Sequence, residues 1–170
     1  MTPRLPMLGS RFGALTLAWS GILLLLGGCL APRPLPMRAL NRRLEQAGSA
    51  REPSLAGRWL ALIRNQGGRE RVDLVDVEQG RPLPLPGLNR PDAQPLSVSV
   101  NASGQRLAVV RQREGQTELV LYRRALSSVQ PIAIRPAGVP RRVQLRADGR
   151  QLAVEVSRDG LWQIDLINLP

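Results

Sequence analysis

Few side chains in this sequence can carry chemistry, and their types exclude most of it. Histidine is absent from the 170 residues, and Cys29 is the only thiol. Without imidazole there is no Ser-His-Asp or Cys-His machinery and no His-based zinc site. Paired carboxylates remain, of the kind that work as acid and base in glycoside hydrolysis. The nearest such acids are Asp73 and Asp76, within Val72-Asp73-Leu74-Val75-Asp76-Val77. Residues three apart on a strand point to opposite faces, so these two cannot easily cooperate. Glu70, Asp92, Glu114 and Asp159 read as solvated hairpin tips. Gly67-Gly68 has neither the lysine nor the following helix of a phosphate-cradling loop. No catalytic residue, metal site or cofactor is expected, and the chain does not read as an enzyme.

Cys29 instead closes the one long apolar stretch. Residues 12–26 read FGALTLAWSGILLLL, preceded by Arg4 and Arg11 and followed by Gly27-Gly28-Cys29. A basic start, a short apolar segment and small residues before a cut make a secretory signal peptide. At 15 residues the stretch falls short of the roughly 20 that span a bilayer as a helix. Leu26-Gly27-Gly28-Cys29 resembles a bacterial lipobox. That resemblance implies a diacylglyceryl group on the Cys29 sulfur, cleavage before Cys29 and acylation of the freed amine. Two or more chains hold a protein on a membrane where one binds only marginally. Leu30 stands where inner-membrane lipoproteins of some bacteria carry aspartate, so the outer membrane, facing the periplasm, is favoured.

The elements around these residues follow from composition and pattern. Residues 1–28 form the leader, 29–53 a Pro- and Arg-rich linker, and 54–170 a single β-repeat domain. With one cysteine there is no disulfide framework. The net charge is +11, and every basic residue is arginine. Such a charge attracts polyanions on a membrane surface. The arginines are nevertheless spread along the chain, and Trp59, Tyr122 and Trp162 read as core or blade packing rather than as stacking platforms. Nucleic-acid binding is not expected. Leu30-Ala31-Pro32-Arg33-Pro34-Leu35-Pro36 favours an extended spacer, and residues 37–47 predict a short helix, with Met37, Leu40 and Leu44 on one face and Gly48 as its stop.

Beyond Ser54 the chain repeats. Gly57-Arg58-Trp59-Leu60-Ala61-Leu62 returns as Gly104-Gln105-Arg106-Leu107-Ala108-Val109 and as Gly149-Arg150-Gln151-Leu152-Ala153-Val154. The spacings, 47 and 45 residues, fall in the range of propeller-blade repeats. Alternating strands precede the second and third cores, at residues 96–100 and 142–145. Glycine turns and third strands follow all three, at residues 72–77, 118–122 and 162–166. Residues 81–85 and 129–134 predict proline-bearing outer strands, as suits sheet edges. The third repeat shows no outer strand and the first no obvious inner one, although part of residues 37–53 could supply it. Each repeat is the plan of a four-stranded antiparallel meander, a propeller blade.

These repeats resemble those of the TolB β-propeller family, whose pattern is roughly Ser-Pro-Asp-Gly-Arg-x-Leu-Ala. The best match is Ala147-Asp148-Gly149-Arg150-Gln151-Leu152-Ala153-Val154, and the resemblance covers about residues 54–170. It implies an all-β fold of about three blade-like meanders, as a partial propeller or a sandwich-like packing. Members of that family have six blades and a separate amino-terminal domain, and neither a lipobox nor three repeats fits them. Gly57, Gly104, Asp148 and Gly149 read as turn residues, Asp-Gly supplying the positive φ of a tight hairpin. Three blades cannot close a ring of the usual four to eight. A homodimer, another protein partner, or compact sandwich packing must therefore deal with the open faces. The expected role is a membrane-tethered, non-catalytic scaffold for protein binding. Alternatives are an arginine-rich recognition module for acidic glycans or lipid headgroups and, more remotely, a small hydrolase.

Overall fold

The computed structural model describes residues 34–170. The leader, Leu26, Gly27, Gly28 and Cys29 lie outside the described residues. The unit Met37–Pro170 opens with a helix, α1 (Arg38–Gln46), and continues as eleven strands in three antiparallel sheets. The first sheet holds β1 (Ala50–Ala56), β2 (Trp59–Gln66), β3 (Arg69–Asp76) and β4 (Arg81–Leu83). The second holds β5 (Ala93–Val100), β6 (Arg106–Arg113), β7 (Gln116–Arg123) and β8 (Ser128–Ile132). The third holds β9 (Val139–Leu145), β10 (Gln151–Arg158) and β11 (Leu161–Asn168). Each is an up-and-down meander, ordered as the chain runs. The all-β, blade-like reading therefore holds. The inner strand of the first repeat is β1, whose residues straddle position 53.

Period-two alternation decides how the sheets stack. In β6, Leu107 and Val109 enter one core with Ile63, Val72 and Leu74 of the first sheet. Ala108 and Val110, pointing the other way, enter a second core with Val143, Leu152 and Val154 of the third sheet. A strand buried on both faces has no polar side to show, and so Leu107-Ala108-Val109-Val110 reads as an unbroken apolar run. The blades thus lie face to face in an array, with the second sheet between the other two.

Serines tie neighbouring inner strands together. The Ser54 hydroxyl on β1 accepts the Val100 N–H at 3.1 Å. Ser99 on β5 accepts the Leu145 N–H at 2.8 Å, and Ser97 accepts the Val143 N–H at 3.3 Å. Each link joins residues 46 apart, one repeat length. Ladder pairing puts Ser54 opposite Ala61 and Ser99 opposite Ala108, so the two serines hold the same place in successive blades.

The repeat turns carry glycines at positive φ. Gly57, Gly104 and Gly149 have φ of +58°, +66° and +74°, and Asp148 accepts the Arg150 N–H in the third turn. Gly104 has a second constraint, since a Cβ there would lie 2.6 Å from the Trp59 ring. Trp59 is buried, with the guanidinium carbons of Arg58 and Arg124 at 5.0 and 4.9 Å from its ring centroid. Tyr122 is buried too and donates its hydroxyl proton to the Pro86 carbonyl. Trp162 departs from the expected packing: it is 54% exposed, because β11 has no sheet against its outer face among the described residues. Gly104→Ala should lower stability by about 2–4 kcal/mol through overpacking and positive-φ strain. Gly67→Ala, in open space at φ +61°, should cost only the strain, about 1 kcal/mol. Urea midpoints of the two variants measure the difference.

Candidate interaction face at the open end of the array

The ladders align the three blades residue by residue. Ala61, Ala108 and Ala153 pair with Leu74, Leu121 and Leu166 respectively. One row along, Ile63, Val110 and Glu155 pair with Val72, Leu119 and Ile164. These rows form the face that each blade turns toward the next. Leu74 and Leu121 are 0% and 1% exposed, but Leu166 is 79% exposed. Val72 and Leu119 are 2% and 1% exposed, and Ile164 is 66%. The third blade therefore presents to solvent the side chains that its predecessors bury. Trp162 and Val139 extend the patch, both paired with Ser157 across β10. Arg141 stacks 5.3 Å from the Trp162 ring centroid.

The other end of the array is treated differently. On the first sheet, Leu62, Val75 and Arg64 face away from the inter-blade core yet are buried. Helix α1 covers them: the Arg64 guanidinium donates to the Leu44 carbonyl at 3.2 Å, and Arg43 donates to the Gly80 carbonyl at 3.3 Å. Leu40 and Leu44, four apart on the helix, are the residues of α1 that are half-buried. The predicted helix thus caps the first blade.

Between the two ends, β1, β5, β9 and the outer face of the third blade line a cleft of about 920 Å³. Leu55, Ile164, Leu166, Gln144, Arg142 and Glu155 are among its lining residues. Gln144 pairs with Ala153, the position held by Ser54 and Ser99 in the earlier blades. Two acids reach the cleft, Glu52 and Glu155, and both neighbour Arg142. Glu52 is 3.7 Å from its guanidinium, and Glu155 is its cross-strand partner.

Most of the other acids are tied to arginines; Glu45 and Asp159 are not. Asp73 pairs with Arg64 at 2.6 Å and with Arg71 at 3.1 Å. Asp76, nearly buried, pairs with Arg58 at 2.9 Å and accepts the Glu78 and Gln79 N–H groups of the next turn. They do not converge, as their spacing required. Glu70 is no free hairpin tip: its two oxygens take the Arg51 guanidinium at 2.7 and 2.8 Å. Arg51 also donates to the carbonyls of Pro95 and Leu96, which clasps the first blade to the second. The Arg51 hydrogen bonds hold the Glu70 carboxyl below its ordinary range. Asp92, exposed between Arg90 and Arg113, is drawn down to about 2, chiefly by its hydrogen bond with Arg90. Among the described residues no cluster of three metal-ligating side chains occurs. The open face was missed by motif reading because Ile164 and Leu166 look like ordinary strand residues. Aligning them with Val72 and Leu74 is the signal that finds them.

No protein-family model and no curated protein matches the chain. Among solved structures, TolB from Acinetobacter baumannii superposes with a TM-score of 0.54 at 16% identity, over 69% of this chain and 29% of that one. A structure from a study of two prolyl endopeptidases superposes at 0.50 and 14% identity, over 78% and 23%. The β-propeller domain of Cps50 (Swd1) from Myceliophteria thermophila gives 0.45 at 15% identity, over 71% and 39%. The chain spans less than a third of the TolB chain and of the endopeptidase chain. At such identities the likeness is one of fold.

Two measurements check this assignment. Leu121→Ala should destabilise by about 2–5 kcal/mol, as large-to-small core changes do. Leu166→Ala at the equivalent register should stay within about 0.5 kcal/mol. For Glu70, a folded-state pKa below the unfolded one (about 4.3) means stability that is full above that value and lost as pH falls through the folded pKa. The stability gap between wild type and Glu70→Gln should therefore close as pH drops below about 4. Denaturant titrations at stepped pH read it. Among the described residues the fold is a β-propeller-type array whose first blade is capped by α1 and whose third blade leaves Ile164 and Leu166 uncovered.

Proposed function

We propose that this chain is a lipid-anchored protein of the bacterial envelope that acts as a non-catalytic scaffold, binding a protein through the outer face of its third blade. The observation that carries the reading is the exposure of Ile164 and Leu166 at the register that two earlier blades bury. An apolar patch of this kind on a soluble surface marks an interaction site. Its removal from water on binding would stabilise a complex at roughly 25 cal/mol per Å² of apolar surface before the costs of association. Anchoring rests on Leu26-Gly27-Gly28-Cys29 and the leader before it. The periplasm-facing, outer-membrane site rests on the leader and on Leu30, which stands where inner-membrane lipoproteins of some bacteria carry aspartate.

A second reading draws on Arg142 and Arg146, both largely exposed and both at the cleft. These would suit acidic glycans or lipid headgroups. Salt separates the two. Phosphate- or carboxylate-led binding weakens steeply as ionic strength rises, since the Debye length falls to about 3 Å at 1 M, whereas apolar docking tolerates salt.

In cells of a lipoprotein-processing bacterium, Cys29→Ala should abolish incorporation of a labelled fatty acid and release the protein from membranes. Retained label would refute the anchor. In-cell crosslinking should join the wild type to a protein, in a manner insensitive to salt during lysis and lost in Leu166→Arg. Unchanged crosslinks in Leu166→Arg would remove the third-blade face from the reading.

A further inference from the structure

Resting on the scaffold reading, we infer that the occupant of the third-blade face is the same face of a second copy. The two blades would pack sheet on sheet about a two-fold axis. The face continues an interface already built twice within the chain, and there each blade buries these rows against another β-sheet. A β-sheet is therefore the shape that fits. The other end of a second copy cannot serve, because α1 lies over Arg64 at that end and Leu62 and Val75 are already buried. Head-to-tail closure of two arrays into a ring would require α1 to be displaced, so face-to-face pairing is the arrangement that fits the chain as folded.

The face is self-complementary. Its two rows read Leu166-Ala153-Gln144 and Ile164-Glu155-Arg142 across β11, β10 and β9. An isologous contact uses one patch twice. With the axis across the strands, midway between the rows, each Ile164 lies over the second copy's Leu166. Each Glu155 lies over the second copy's Ala153, large against small. Arg142 then lies over the second copy's Gln144, with the second copy's Glu155 on the diagonal. Glu155 occupies the place of Ile63 and Val110, both fully buried. No ion pair engages Glu155 among the described residues. Arg142 holds Glu52 only at 3.7 Å and is two-thirds exposed. The acid and the base that neighbour each other on one sheet thus also stand within diagonal reach between two, long side chain to carboxylate. A buried carboxylate needs such a partner, and the second copy supplies it at no change in net charge.

The test is the mass of the full-length chain in detergent, by light scattering over a concentration series. The wild type should reach twice the protomer mass. Leu166→Arg should weaken the dimer at least about tenfold, while Leu126→Arg, an exposed site outside the face, should leave it unchanged. Glu155→Arg and Arg142→Glu should each weaken self-association. An equimolar mixture of those two variants should restore it, because each then offers what the other lacks. Retained folding of every variant is checked by its thermal melt. A wild type that stays monomeric overturns the inference, as does a mixture that fails to recover. Disruption by Leu55→Arg but not by Leu166→Arg also overturns it, in favour of closure through the first blade. The scaffold reading is judged separately by crosslinking in the same preparations. A monomer whose crosslinks to a different protein depend on Leu166 sinks the second copy and keeps the scaffold. A monomer whose crosslinks ignore Leu166 sinks both.

Discussion

A four-stranded antiparallel meander with apolar residues on both faces cannot stand in water alone. Each blade here spends one face on its neighbour, and the stack then has two ends to settle. Everything distinctive about the molecule follows from that arithmetic of faces. The middle blade, with Leu107 and Val109 on one side and Ala108 and Val110 on the other, is satisfied twice. The outer blades are satisfied once each, and what happens on their second faces decides whether the protein is inert or adhesive. Repeat proteins in general meet this need with atypical terminal units that carry a polar outer side.

The first blade has such a unit. Helix α1 is short and polar, contributes Leu40 and Leu44, and is held through backbone carbonyls by Arg64 and Arg43. Arg64 serves two neighbours at once, since its Nε binds Asp73 while its Nη1 reaches Leu44. The third blade has no comparable cover among the described residues, and its face carries aliphatics where a capping surface would carry charge. The contrast between the ends, rather than exposure alone, is what singles out the third blade.

The arginine excess takes a different meaning once contacts are known. Arg64, Arg111 and Arg158 each sit on the second strand of a blade and pair with Asp73, Glu118 and Asp165 on the third. Arg51 bridges blades, and Arg58 and Arg124 both stack near the Trp59 ring. Much of the positive charge is thus built into the sheets, where a planar guanidinium with several donors satisfies carboxylates and carbonyls together. Charge left free for an anionic surface is smaller than the net value suggests, although Arg142 and Arg146 do stand at the cleft.

By itself the sequence determined the repeat, its period, the strand order and the turn chemistry. These are local properties: alternation sets the faces, and Gly57, Gly104 and Asp148-Gly149 set the hairpins through backbone sterics. It also excluded imidazole chemistry outright, since an absent residue needs no structure to be absent. Glu70 and Trp162 were misplaced because a residue's exposure depends on what lies across a gap in space, and local pattern carries no information about that. Only the tertiary structure decided that α1 shields the first blade, that Arg51 reaches the second, and that Ile164 and Leu166 remain in water while Val72, Leu74, Leu119 and Leu121 do not. Identical strand patterns reach opposite environments because burial is a property of neighbours, and neighbours 46 residues apart are chosen by packing.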